Sequence, residues 1–442
     1  MSSAMFLVLL DVTVLNVALP HIRAGLGASV SQTQWIIDAY SITFAALLLA
    51  GGTIGDTYGH KFVVLFGLGI FAISSAAGGF SQNVTELIAS RAVQGIGAAL
   101  LLPGSLAIIT HQFPKQGEQT KAIGIWASIS SLALPAGPIL GGLLIYSFGW
   151  RSIFAINTIV IIPVIIATIK AVSKSQNEKR IPLDIWGIII VGAILALVSY
   201  GIISTGNQGF SSSLTLFAFG LAFIFLIIFV FVESQNSYPV FQLQLLKNSN
   251  FVGSIAVAGL MNLVAIGTLL LLSFYLQVIQ HHSALLTGVE LVPMFALLSL
   301  LAPISAKSVT KFSYSPTIAI GLILGIGGLA LLHYFIRANT SYLVLLPSLM
   351  LLGSGLGIIT TAVVATTMAS VPKQNAGFAS AVNNSARQSG GAFGIALFGS
   401  LAKNPNNKTY FMAGFHLAEI IGAGLWLLAL AIAIFLIKKS SF

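Results

Sequence analysis

Four of the ten acidic residues, Asp11, Asp38, Glu290 and Glu419, fall well within long apolar stretches rather than at their ends. An ionised carboxylate there costs several kcal/mol unless it meets protein, water or a cation, so these acids point to proton, ion or solute binding. Asp11 stands near the middle of its stretch and is the leading candidate to take up and release a proton. A purely structural, hydrogen-bonded Asp11 is the competing reading. Asn16 lies about 140° around a helix from Asp11, which puts polar groups on two sides and wraps that helix in protein or cavity. Counted at about 1.5 Å per residue, Asp38 and Glu290 lie about 8 Å, and Glu419 about 10 Å, from the nearer end of their stretches. Asp38 shares a face with Ser41, and Glu290 stands three residues before Pro293. So shallow a depth leaves Glu290 open to a second reading as a rim carboxylate that reaches water.

Two cations, Arg91 and Arg387, are embedded in the same way. A guanidinium keeps its charge under all ordinary conditions, and its field lowers the proton affinity of a nearby carboxylate. Arg91 is about five residues from its helix end, close enough to snorkel to the interface instead. Arg91, Gly95 and Ala98 recur at i, i+4 and i+7 with Gln94 adjacent, so a cation tops a strip of small residues where another backbone approaches. Ala133, Gly137 and Gly141 repeat every four residues, followed by Gly142, and Pro138 removes one backbone donor. Gly55 and Gly59 tighten a turn in which Asp56 can accept from a helix N-terminus. Beside it Lys61 is a firm cation, and His60 reads as a solvated loop residue, with a pH-sensitive contact as the alternative. Asn383, Arg387 and Gly390 or Gly391 form a further polar and small face, with Arg387 as a structural counter-charge.

The elements that must hold these groups follow from composition. The chain has 442 residues, 57% apolar and only 7% charged, with a mean hydropathy of +0.98. Soluble domains carry about 25% charged residues, so a water-solvated globular fold is excluded. A net charge of +10 would suggest nucleic acid in a soluble protein. Here the distribution of charge points to a membrane, and no nucleic-acid partner is expected.

Fourteen apolar stretches lie near 3–23, 33–55, 61–80, 86–110, 121–147, 149–170, 183–204, 213–232, 250–278, 285–306, 314–335, 341–367, 376–402 and 412–437. A spanning helix needs about 20 such residues, whereas a barrel strand needs about 10 in strict alternation, so the stretches predict an all-α integral membrane protein. Polar breaks at 170–180 and 233–250 predict three parts: a six-helix bundle over 1–171, a linker with two inserted helices over 172–249, and a second six-helix bundle over 250–442. With both termini inside, thirteen Lys and Arg fall on the cytoplasmic side and five outside, the bias expected of membrane topology. The first stretch lacks a basic leader and a small-x-small cleavage site, so it reads as a retained helix.

Four motifs in register carry a resemblance. They are Leu10-Asp11-Val12-Thr13-Val14-Leu15-Asn16-Val17-Ala18-Leu19-Pro20, Gly52 to Lys61, Arg91-Ala92-Val93-Gln94-Gly95-Ile96-Gly97, and Gly137-Pro138-Ile139-Leu140-Gly141-Gly142. Together with Gly149-Trp150-Arg151 and the segment Asn383 to Gly394, the set resembles the major facilitator superfamily, in particular its 14-helix drug:proton antiporter branch. The resemblance covers nearly the whole chain. It implies a bacterial plasma-membrane exporter of small amphipathic compounds, with substrate bound near mid-membrane and two bundles that rock about it. It implies proton coupling through Asp11, Asp38, Glu290 and Arg91, and substrate contacts from Asn16, Asp38, Trp126, Tyr275 and Glu290. Gating and packing would fall to Asp56, Gly59, Lys61, Gly137, Pro138, Gly141, Gly142 and Arg387. Departures are Ala133 where the family usually has Gly, and Thr57 and His60 where it commonly has Arg, which weakens the expected cytoplasmic latch.

Other classes find no support in the residues. Cysteine is absent, which removes disulfides and thiolate chemistry. His281 and His282 are adjacent, diverge on a helix and match no His-Glu-x-x-His pattern, and no Walker sequence occurs. The expectation is therefore no enzyme, no cofactor and no metal, but a monomer in the lipid bilayer driven by the proton gradient. An excess of buried carboxylates predicts cationic or zwitterionic substrates over anions. Export of a metabolite, amino acid or lipid is the nearest alternative, and a channel is the alternative of another class.

Overall fold

A computed structural model of the chain describes residues 1–113, 118, 122, 125, 126, 129, 130, 132–172, 182–372, 376–402 and 407–437. Among them run fourteen α-helices and no strand: α1 (Ser2–Leu26), α2 (Val30–Tyr58), α3 (His60–Phe80), α4 (Val84–Gln112), α5 (Ala133–Phe148), α6 (Ser152–Ala171), α7 (Ile185–Gln208), α8 (Ser213–Gln235), α9 (Ser249–Phe274), α10 (Ala284–Phe312), α11 (Tyr314–Phe335), α12 (Tyr342–Ala369), α13 (Ala376–Leu401) and α14 (Lys408–Phe435). Much of the fifth apolar stretch and of the basic segment 170–180 lies outside the described residues, as do Lys115, Lys121, Lys373, Lys403, Lys438 and Lys439.

Short polar connections set the helix ends. Ser29 and Gln32 form a reciprocal capping box at the start of α2, Asn83 caps α4 through the Glu86 N–H, and Ser283 caps α10 through the Leu286 N–H. Gly59 joins α2 to α3 with no other residue between them, at φ 90°, a backbone state that a side chain would strain. Among the described residues, eleven helices are long and apolar enough to span a bilayer, twelve if α2 is counted as one bent span. The polar residues of α13 dilute its apolar character, and α5 is described over only 16 residues. The exposed faces of α3 and α8 present large apolar residues such as Phe62, Phe66, Phe217, Phe223 and Phe231, the surface a lipid solvent demands.

The chain divides into two compact units, Met1–Ala196 with Leu221–Phe241, and Leu197–Gly220 with Gln242–Phe442. In the first, α1 packs on α5, α2 on α4, α3 on α4 and α3 on α6. In the second, α9 packs on α13, α10 on α12, α11 on α12 and α11 on α14. Numbered from the start of each six-helix set, the pairings are identical: first with fifth, second with fourth, third with fourth, third with sixth. Small residues make these approaches possible. A Cβ added to Gly390 would collide with the Gly259 carbonyl, and one on Gly394 with that of Leu263. The small face of α13 is thus built on Gly390 and Gly394, while Gly391 meets only the Ile266 side chain.

Candidate functional site

The polar centre of the first unit gathers on Asp11. Its Oδ2 accepts from Arg91 Nη1 at 2.6 Å, and its Oδ1 accepts from Gln94 Nε2 at 3.0 Å and Asn157 Nδ2 at 2.6 Å. Asp11 is 5% exposed and Arg91 fully buried, so Arg91 does not snorkel; its charge finds a partner inside the unit. The guanidinium also donates from Nη1 to Gln94 Oε1 and from Nε to the Ile36 carbonyl, and it lies 4.3 Å from the Tyr40 ring centroid. Asn157 in turn contacts Ser75 Oγ at 3.2 Å, and Ser75 donates to the Phe154 carbonyl. The arrangement is a carboxylate held by three donors, two of them neutral amides, and a charge paired across α1 and α4. It can hold a carboxylate ionised in an apolar interior, or give up its ion pair when a proton arrives.

Asp38 is different. It is fully buried on α2, and neither carboxyl oxygen has a hydrogen-bond partner among the described residues. Such a group needs a proton or a cation to occupy an interior site. Glu419 on α14 is in the same condition among the described residues. Asn16 is buried, donates to the Val12 carbonyl and leaves its Oδ1 unpartnered. Trp126 is partly exposed, and its indole nitrogen has no partner.

Close packing surrounds Asp11. Gly137 approaches Thr13 and Val14 of α1 so tightly that a Cβ would overlap the Thr13 hydroxyl and stand 2.7 Å from its Cβ. Gly141 approaches Val14 in the same way, and Gly137, Pro138, Gly141 and Gly142 are all buried on α5. At the α2–α3 turn, Asp56 pairs with His60 at 3.1 Å rather than with a helix N-terminus. His60 is 7% exposed, so it is not a solvated loop residue; it is the first residue of α3, with its ring 5.7 Å from that of His111. Lys61 Nζ binds the carbonyls of Ile169 and Val172 at 2.7 and 2.5 Å, which closes the C-terminal end of α6.

In the second unit, His281 and His282 are not on a helix. A single π turn, Tyr275–Ile279, ends α9, and His281 adopts φ 60° before α10 begins. This turn aims His282 Nδ1 at Glu290 Oε2, 2.9 Å away. Glu290 is 6% exposed, so it is neither a free rim carboxylate nor an unpaired acid. Tyr275 is fully buried, donates its hydroxyl to the Arg337 carbonyl and accepts from Gln280 Nε2; it ties the turn after α9 to the connection between α11 and α12. Arg387 forms no ion pair with an acid among the described residues, its Nε is unpartnered, and its carbonyl accepts from Asn262.

Among the described residues, fourteen helices, eleven or twelve of them long and apolar enough to cross a bilayer, repeated six-helix pairings and an ion pair buried between α1 and α4 define an integral-membrane transporter architecture. The chain belongs to the Major Facilitator Superfamily, whose family profile matches residues 1–395. It is 32% identical over 398 residues to the multidrug resistance protein Stp of Mycobacterium tuberculosis, covering 90% of this chain and 74% of that one. It is 30% identical over 427 residues to the methylenomycin A resistance protein of Bacillus subtilis, covering 97% and 91%. Among solved structures it superposes on a peptide transporter POT with a TM-score of 0.71 at 16% identity, covering 98% and 93% of the two chains. Against the nucleoside transporter NupG the TM-score is 0.68 at 11% identity, covering 99% of each.

Proposed function

We propose that this chain is a proton-coupled multidrug efflux antiporter of the bacterial plasma membrane that exports amphipathic compounds, cationic or zwitterionic ones before anions. It works as a monomer, without cofactor, with both termini in the cytoplasm and with helices α7 and α8 inserted between the bundles 1–171 and 250–442. The observation that carries the reading is the Asp11–Arg91 pair with its Gln94 and Asn157 donors, set in a chain whose relatives are resistance and efflux proteins.

Asp11 alternates between an ionised state held by three donors and a protonated state in which Arg91 leans on Gln94, the Ile36 carbonyl and the Tyr40 ring. Asp38 supplies the carboxyl for which a substrate cation and a proton compete, because nothing in its surroundings satisfies it. The close approach of α5 to α1 at Gly137 and Gly141 couples the state of Asp11 to packing at the outer half of these helices.

The test uses purified protein in liposomes with ethidium as the amphipathic cation. An imposed pH difference should drive uphill ethidium transport, and ethidium on the opposite side should accelerate exchange, which a channel does not show. Ethidium should also release protons from the protein in weakly buffered solution. Orientation is read independently: the chain has no cysteine, so single Cys probes at the exposed Gln112 and Gln82 should label only from the cytoplasmic and external side respectively. Reversed labelling overturns the topology, and exchange without proton movement overturns the coupling.

A further inference from the structure

We propose that His282 is the proton-relay residue through which external protons reach Glu290, making this pair a proton-entry site in the second unit. The proposal rests on the antiport reading and its orientation, under which the α9–α10 turn faces outside.

The geometry is that of a relay. The His282 side chain is 27% exposed and that of Glu290 7%, and they meet at 2.9 Å. One ring nitrogen therefore touches the buried acid while the ring itself reaches the surface. An imidazole with one nitrogen on an acid and an edge at the surface can take up a proton at one nitrogen and give one up at the other.

The turn that places His282 is built with care. The π turn lets the Gln280 N–H reach the Tyr275 carbonyl and the His282 N–H reach that of Leu276. Gln280 Nε2 is fixed by the Tyr275 hydroxyl and the Thr340 carbonyl, both at 2.7 Å. Tyr342 donates to the Glu290 carbonyl at 2.9 Å. His281 holds φ 60°, a state that is unfavourable for a non-glycine residue and persists where the surroundings over-determine it. π turns and left-handed residues concentrate at functional sites. A surface ion pair alone would not require either.

The step balances with water as proton source. External hydronium protonates His282 Nε2, the Nδ1 proton passes to Glu290 Oε2, and the neutral ring left behind carries its hydrogen on Nε2 and accepts from the new carboxylic acid. After Glu290 releases its proton onward, exchange with external water restores the Nδ1–H form. The titratable groups facing Glu290 are Tyr275, in the π turn that follows α9, and Tyr342 on α12. Arg337 contributes its carbonyl to Tyr275, and His281 adjoins His282.

Two readouts on the full chain in liposomes test this. Infrared difference spectra between external pH 8 and 5.5 should show a protonated-carboxyl band that Glu290→Gln removes and whose midpoint His282→Gln moves by about one pH unit. His282→Gln should lower pH-driven ethidium transport about tenfold or more while ethidium exchange at equal pH stays within about twofold. External imidazole should restore the driven rate in His282→Ala, which a purely structural role would not allow. The proposal is overturned by a Glu290 band that does not respond to external pH, or by a His282→Gln variant with an unchanged pH profile. It is equally overturned by parallel loss of driven transport and exchange without imidazole rescue. If the Glu290 band titrates through His282 but the unaltered protein moves no ethidium against a pH difference, the antiport reading fails and the relay stands.

Discussion

Asparagine in place of Asp11 should destabilise the protein, although it preserves the shape of the side chain. Its amide can present oxygen toward Gln94 and Asn157, but then its NH2 group faces Arg91 Nη1 where an acceptor stood at 2.6 Å. In the flipped orientation the amide nitrogen confronts two donors instead. Either way a fully buried guanidinium loses its counter-charge, and Arg91 Nη2 is already without a partner. Removing one member of a buried pair costs about 3–5 kcal/mol. Spread over an unfolding entropy of about 2 cal/mol/K per residue for the whole chain, that is a fall of about 3–5 °C in Tm. A second change, Arg91→Gln, removes the stranded charge and should return most of the loss, while pH-driven ethidium transport stays absent in both variants. Thermal unfolding of purified protein in one detergent, followed by tryptophan fluorescence, reads the three proteins side by side. Were Asp11→Asn as stable as the parent, or the double variant less stable than the single one, the buried-pair argument would be wrong.

Three other outcomes are expected. Asp38→Asn should leave Tm within about 1 kcal/mol equivalent, because no partner is lost, while weakening ethidium transport and sparing a neutral substrate such as chloramphenicol; fluorescence transport assays with both compounds check this. Gly137→Ala should destabilise by about 1–3 kcal/mol through overpacking against Thr13, whereas Gly69→Ala, with open space at its Cβ, should gain about 0.5–1 kcal/mol of helix propensity; thermal scans compare them. Lys61→Met should cost about 1 kcal/mol and raise hydrogen exchange at 169–172, since two terminal carbonyls of α6 lose their donor.

Much of this molecule was legible in its residues because lipid imposes a simple code. Apolar run length places the helices, and an acid or a guanidinium inside a run marks the polar centre, which is how Asp11 and Arg91 stood out. Their partners were harder to see. Asn157 is 146 positions from Asp11, and only its place as an amide within the apolar α6 stretch signals it. Tyr40 and Ser75 carry no such signal, since an aromatic or a serine in a spanning helix is ordinary. His60 is buried against Asp56 because α2 and α3 meet at Gly59 alone, a junction whose sequence has the composition of a loop. The His282–Glu290 contact depends on a π turn and one left-handed residue, and helical periodicity does not reveal either.

Under the proposed coupling at Asp11, its pairing with Arg91 sets how the transport cycle responds to membrane voltage. Ionised, the two side chains sum to zero; protonating Asp11 leaves one positive charge buried between α1 and α4. One elementary charge moved through the whole field is worth about 2.3 kcal/mol per 100 mV, so an interior-negative potential favours the inward-directed step only when the proton is aboard. Exchange of one proton for one monocation then moves no net charge and is electrically silent. Exchange of one proton for a neutral compound carries current, and depolarisation should slow it while leaving the monocation unaffected.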